Sequence, residues 1–341
     1  MGYTFYWFMS VREYFRFTGD ATFLKQIYPR MSSMMDFVTG RLDDKGRPHD
    51  RPGDWMFIDW APEPLHNTGG VTSFMMMHYV EALESQAEVA EALGLPEAKE
   101  LRSRAAGVRA EVVPLFWNPE KGALMHLLSD DGTWDGQLTR YPNMFGLGWG
   151  YFSEEQRESV LGNVLFNDSV MKIQTPYMQF YELESLCALG MQEKVMDRMK
   201  SYWGGMLAEG ATSFWELYNP DEKGLSKYAM YGRPYGKSLC HAWGAGPVYL
   251  LGRYFLGVSP TRPGFAGYSV KPVLGGLEWM RGEVPTPTGP VRVFASRDRV
   301  TVEGNGGEGM LELPDGRRVA IPPHGSVDVP LGQEAGMKGE K

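Results

Sequence analysis

Apolar positions recur at helical spacing through the first three quarters of the chain. In 21–41, Phe23, Leu24, Ile27, Met31, Met34, Met35 and Phe37 share one side, and in 97–116 Leu101, Ala105, Val108, Val112 and Leu115 do the same. The pattern predicts helices at 3–17, 21–41, 71–93, 97–116, 140–150, 154–165, 176–189, 191–207 and 238–256. Short junctions such as Thr18-Gly19-Asp20, Gly94-Leu95-Pro96 and Gly190 alternate with longer connections at 41–69, 117–138, 166–174 and 208–237. Helices entered from the longer connections are apolar nearly all round. In 238–254 these positions are Leu239, Cys240, Ala242, Trp243, Pro247, Val248 and Leu250. Their partners carry a charged face. All-round apolar helices are buried and amphipathic ones face water, so an inner ring within an outer ring satisfies both patterns, with the long loops on one rim.

That arrangement is an (α/α)6 toroid, and the fold expected is mainly α. A closed toroid needs about twelve helices and about nine are read here, so it is expected to be incomplete at its N-terminal side. Helix 3–17 then reads as an inner element whose rings, Tyr3, Phe5, Tyr6, Trp7 and Phe8 together with Met9, lack outer neighbours. An N-terminal fragment or a second copy of the chain is the partner expected over that seam. After Gly257 the period changes to two, in Val291-Arg292-Val293-Phe294 and Val300-Thr301-Val302-Glu303, with turns at Asn305-Gly306 and Asp315-Gly316. The organisation expected is a partial barrel at 1–256, a small antiparallel β-sandwich at 257–332 and a disordered polar tail at 333–341.

Composition narrows the partners. Forty-two acidic against thirty-four basic residues give a net charge of −8 without basic runs, which repels a polyanion and argues against nucleic acid. Cys187 and Cys240 are too few for a disulfide framework and are not in metal-ligand spacing, and no glycine pair sits in a phosphate-loop context. No metal and no cofactor are expected. The apolar start lacks a basic n-region and a cleavage site, and no apolar run reaches ~18 residues, so no membrane partner and a cytoplasmic location are expected. The aromatic share is high, 13% with ten Trp and seventeen Tyr, more than a core of this size needs. Such rings suit sugars, whose C–H faces pack on them while their hydroxyls seek polar partners.

The rim loops hold the candidate chemistry. Gly210-Ala211-Thr212-Ser213-Phe214-Trp215-Glu216-Leu217-Tyr218 sets one carboxylate among rings, a setting for acid or base work; pairing with Arg233 or Lys237 is the competing structural role for Glu216. Gly53-Asp54-Trp55-Met56-Phe57-Ile58-Asp59-Trp60 again combines carboxylates with indoles, and from spacing alone Asp54 reads better as a turn cap. His241, two residues before Trp243, reads as a core histidine or, given its place near the rim, a substrate contact. His78 and the runs Met34-Met35 and Met75-Met76-Met77 read as packing.

These residues carry a resemblance. Gly53-Asp54-Trp55, Thr175-Pro176-Tyr177-Met178-Gln179-Phe180-Tyr181-Glu182, Tyr202-Trp203-Gly204-Gly205-Met206, Ala211-Thr212-Ser213-Phe214-Trp215-Glu216, Ser238-Leu239-Cys240-His241-Ala242-Trp243-Gly244 and Pro285-Thr286-Pro287-Thr288-Gly289 resemble, in order, the C-terminal part of bacterial α-L-rhamnosidases of glycoside hydrolase family 78. The resemblance implies inverting hydrolysis of terminal α-L-rhamnosyl residues in a rhamnose-containing glycoside or oligosaccharide. It implies Glu216 as general base and His241 as a sugar contact, with Trp55 and Asp54 helping to form the pocket. Trp60, Trp215 and Trp243 complete the candidate substrate-binding set. The family's general acid lies in an Asp/Arg-rich motif upstream of the region corresponding to Met1, and this chain has no such run, so its activity is expected to be crippled. Two alternatives remain at this point. One is another toroidal glycosidase of the trehalase or debranching type, with an acid from Asp54, Asp59 or Glu63. The other is a non-catalytic sugar-binding remnant.

Overall fold

Helix ends follow the capping residues. In the computed structural model, which describes residues 2–51, 57–60, 65, 69–134 and 136–331, α1 runs over Gly2–Thr18 and α2 over Ala21–Thr39. Asp20 starts α2 by accepting from the Phe23 amide at 2.9 Å. The strand β1, Gly70–Thr72, leads into α3, Ser73–Ala92, where the Thr72 hydroxyl accepts from the Met75 amide at 3.2 Å. There follow α4 (Ala98–Phe116), β2 (Trp117–Asn118), β3 (Ala123–Leu124), β4 (Leu127–Ser129), α5 (Arg140–Gly148), α6 (Glu154–Val160) and α7 (Pro176–Ala188). β1 pairs antiparallel with β4, and β2 with β3. The chain divides into two units, Met1–Tyr14 with Asp20–Ser185, and Phe15–Gly19 with Leu186–Lys341.

In the first unit the expected alternation is visible in burial. From Ser73 to Val80 every residue of α3 is buried, whereas α4 buries the stripe Ala98, Leu101, Ala105, Val108, Val112 and Phe116 and faces water elsewhere. Helix α1 departs from expectation, because most of its rings are covered. Phe5, Tyr6 and Phe8 are buried; of the set expected to be bare, Tyr3 is exposed, at 54%. The reason lies in α3 and α7: Phe5 packs on Tyr79, and Tyr6 packs on His78, Tyr177 and Tyr181. Tyr6 also donates its hydroxyl to His78 Nε2 at 2.9 Å, while His78 Nδ1 donates to the Phe74 carbonyl at 2.8 Å. Complete burial pushes the imidazole down to about 3, so it is neutral at ordinary pH and is the packing residue its helical position implied.

In the second unit α8 spans Gln192–Ala208 and α9 Gly246–Leu250, the latter continuing as a π turn over Leu251–Phe255. The helix expected from 238 therefore begins late. His241 is extended (φ −128°, ψ 113°), and a single 3-10 turn covers Ala242–Gly244. Gly244 and Gly246 add backbone entropy to helix formation, and Pro247 fits the first turn, where its missing N–H costs nothing. Eight strands follow: β5 (Val258–Arg262), β6 (Gly267–Val270), β7 (Trp279–Val284), β8 (Val291–Ser296), β9 (Arg299–Glu303), β10 (Glu308–Glu312), β11 (Arg318–Ile321) and β12 (Ser326–Pro330). They form two four-stranded sheets, β11-β10-β6-β5 and β12-β9-β8-β7, antiparallel except where β10 runs parallel to β6. Val291, Val293, Ala295, Val300 and Val302 are buried, as the period of two requires. The tail expected to be disordered, 333–341, lies outside the described residues. No helix among the described residues is long and apolar enough to cross a membrane.

Candidate active site

Two segments of the second unit lie side by side and carry the proposed chemistry. The Glu216 amide donates to the Ser238 carbonyl at 2.9 Å and the His241 amide to the Phe214 carbonyl at 2.8 Å. The Ser213 hydroxyl adds a bond to the Leu239 carbonyl. The motif ending in Glu216 is thus zipped to the one containing His241 and Trp243, and the Trp243 indole N–H closes the arrangement on the Glu216 carbonyl at 2.8 Å.

The Glu216 side chain is buried, 4% exposed, and both of its oxygens accept hydrogen bonds. Oε1 accepts from the Tyr231 hydroxyl at 2.7 Å and Oε2 from the Ser238 amide at 3.0 Å. The competing role, an ion pair with Arg233 or Lys237, is not what the structure holds. Lys237, its side chain buried, pairs with Glu222 at 2.9 Å, and among the described residues no cation forms a salt bridge with Glu216. Both donors are uncharged groups, and together they orient the carboxylate. Tyr231 feels the arrangement in return: burial first, then its bond to Glu216 and the nearby charge, push its phenol up to about 12. It sits at φ 52°, a left-handed conformation that a ring-bearing residue rarely adopts without tertiary support.

His241 and Trp243 are both half-buried, with ring centroids 4.7 Å apart at 51°. Trp215 is buried at 4% exposure and packs on Tyr218 and Tyr228. Trp215 also lines a pocket of about 270 Å³ with Thr212, Ser213, Tyr228, Tyr235 and Leu239, a lining that does not include Glu216, His241 or Trp243. The structure therefore brings together Glu216, Trp215, His241 and Trp243. Asp54 and Trp55 lie outside the described residues, as does Glu63. Trp60 belongs to the first unit and is 46% exposed.

The first unit holds its own buried polar cluster. Asp59, 3% exposed, accepts from the Thr175 hydroxyl at 2.6 Å and is hydrogen-bonded to Tyr141. Tyr141 and Tyr177 are raised well above the ordinary phenol value, mainly by burial, with the Asp59 charge adding to it. Arg140 and Glu182 form a buried ion pair at 3.1 Å, with side chains 2% and 1% exposed. Among the described residues no group of His, Cys, Asp and Glu could hold a metal ion.

Paired helices followed by a β-sandwich are the arrangement of a known class of proteins, the six-hairpin glycosidases. The family model described as the bacterial α-L-rhamnosidase six-hairpin glycosidase domain matches residues 1–255, and the chain belongs to that family. Among solved structures, a family 78 rhamnosidase of Bacillus sp. GL1 is 27% identical with a TM-score of 0.78, covering 92% of this chain and 33% of its own. A Klebsiella oxytoca rhamnosidase with rhamnose bound is 22% identical with a TM-score of 0.56, over 67% of this chain and 42% of its own. A Streptomyces avermitilis α-L-rhamnosidase complexed with L-rhamnose is 16% identical with a TM-score of 0.68, over 94% of this chain and 32% of its own. No curated protein matches. The fold class read from the sequence, a mainly α (α/α)6 toroid type followed by a small β-sandwich, is the class of these relatives. The chain spans about a third of the length of the Bacillus enzyme, 33%.

Proposed function

We propose that the chain supplies the general-base side of an inverting α-L-rhamnosidase site, acting on terminal α-L-rhamnosyl residues of a glycoside or oligosaccharide. The observation that carries this reading is Glu216: a buried carboxylate held by a phenol and a backbone amide, with no salt bridge to a cation among the described residues. A base that activates water has to be aimed, and the two donors fix the direction of this carboxylate. His241 and Trp243 hold the sugar beside it, His241 through its imidazole and Trp243 through its ring face. Rhamnose is the sugar because the Klebsiella and Streptomyces relatives carry it.

Inversion calls for a second carboxyl group about 6.5–9.5 Å from the base, leaving room for the attacking water. The family's acid motif does not occur in residues 1–341, so the proton donor in this reading comes from outside them. The test is turnover of an aryl α-L-rhamnoside by 1–341 alone, followed by proton NMR of the first-formed sugar. Turnover about 10²–10⁴-fold below that of a complete family member, with β-L-rhamnose as first product, is the result expected. Full turnover would overturn the outside-acid assignment and redirect attention to Asp59. α-L-rhamnose as first product would overturn inversion.

A further inference from the structure

A second concave surface lies on the β-sandwich, on the outward face of the sheet β12-β9-β8-β7. Alternation sends Trp279, Arg281 and Glu283 of β7 outward, with Arg292 and Phe294 of β8 and Thr301 and Glu303 of β9. Register sets Arg281 opposite Phe294, Glu283 opposite Arg292, and Arg292 opposite Glu303. These side chains line a groove of about 640 Å³. Trp279 is 60% exposed and its ring stacks towards Phe294, centroids 6.5 Å apart at 26°. Arg292 bridges Glu283 at 3.1 Å and Glu303 at 3.3 Å. Arg281 is exposed and has no hydrogen-bond or ion-pair partner among the described residues.

Protection of an edge strand against pairing accounts for charges on β7, but not for an exposed indole backed by a phenylalanine on the next strand. We propose that this groove binds a neutral oligosaccharide, whose C–H faces stack on Trp279 and Phe294 and whose hydroxyls meet the free Arg281 fork and the Glu283-Arg292-Glu303 ladder. The charge of the lining selects this class. Its two guanidinium groups and two carboxylates cancel, so neither an anionic nor a cationic chain gains from long-range attraction. Planar donors beside carboxylate acceptors match neighbouring hydroxyls, which both donate and accept. The volume falls within the ~300–1,000 Å³ range of small-molecule sites, enough for a few sugar rings. This site is independent of the role given to Glu216.

Isothermal titration of the full chain with rhamnotetraose and cellotetraose, with tetragalacturonate as the charged comparison, tests it. The expected result is a binding event for a neutral tetrasaccharide that Trp279→Ala weakens by about tenfold or more and Arg281→Ala by less. Glu216→Gln leaves that event unchanged. Both groove side chains face solvent, so the variants retain the parent's thermal melt. Absence of any Trp279-dependent binding overturns the proposal, as does preference for tetragalacturonate or a dimer that Trp279→Ala dissociates. Rhamnose binding that responds to His241→Ala reports on the other site, so its loss with the Trp279-dependent event intact counts against the rhamnosidase reading alone.

Discussion

Glu216 is aimed by two donors of different kinds, and each implies a separate outcome. On the proposed reading, and in a form of the protein supplied with an acid, Glu216→Gln keeps the shape but loses the base, so kcat falls about 10²–10⁴-fold with little change in KM. The one carbonyl oxygen of the glutamine accepts from the Ser238 amide and its NH2 donates to the Tyr231 oxygen. Tyr231→Phe removes one of the two bonds to the carboxylate and should lower kcat by a smaller factor, about tenfold, again with KM nearly constant. Steady-state kinetics on one aryl rhamnoside checks both. His241→Ala should behave differently, weakening rhamnose binding in a titration that needs no turnover. His78 gives a prediction in pH. Its folded value lies at about 3 against an ordinary 6.5, so the unfolded chain takes up a proton across that window while the folded chain does not. Stability from this group is therefore full above 6.5 and is lost progressively as pH falls towards 3. Urea midpoints from pH 7 to pH 4 should fall more steeply for the parent than for His78→Gln; parallel slopes would show that another group carries the acid sensitivity. Among the candidate site residues, Glu216 and its indole neighbours are legible as candidates in the sequence because a carboxylate flanked by rings is a local pattern. Tyr231 is not, since it reaches Glu216 across fifteen positions from a left-handed backbone that no periodicity announces.

At the scale of elements, helices with an apolar stripe or an unbroken apolar run were read to within a few residues of their observed ends, as in α2, α4 and α8. The last helix was misread at its start, because Leu239, Cys240, Ala242 and Trp243 supply apolar content while Gly244, Gly246 and Pro247 decide the backbone. Apolar content does not report burial in this segment: Leu239, Cys240 and Ala242 are exposed and Trp243 is half-buried, on a stretch zipped by backbone bonds to 213–216. The start of the sandwich carries a sharper constraint. Gly257 has φ 77°, and a Cβ there would lie 2.0 Å from the Lys271 carbonyl oxygen, a backbone atom that cannot swing away. Gly257→Ala should therefore cost more than the ~1 kcal/mol of an ordinary positive-φ glycine, visible as a lowered urea midpoint with unchanged m-value. Gly162→Ala, with nothing within 4 Å of its added methyl and no positive φ, is the matched control and should be neutral or slightly stabilising.

For the molecule as a whole, the proposed division, with a base in this chain and an acid from elsewhere, has consequences that substrate choice can test. A sugar leaving group departs as an alkoxide unless it is protonated, so the acid matters most for natural glycosides and least for leaving groups that are already weak bases. The base matters for every substrate, because water must be activated whatever leaves. These dependences separate the two functions in residues 1–341 alone. Residues 1–341 should turn over 2,4-dinitrophenyl α-L-rhamnoside measurably while leaving a rhamnosyl disaccharide almost untouched. The gap should exceed that of a complete family member by up to about 10²–10⁴-fold, or roughly 3–5 kcal/mol in activation free energy. Glu216→Gln should then remove the activity that remains on the activated substrate. A chain that treats the two substrates as a complete enzyme does would have its acid within these residues, with Asp59 the buried carboxylate to substitute next. A chain inert on both, with folding intact, would instead be deficient in water activation or in sugar binding, and rhamnose titration would say which.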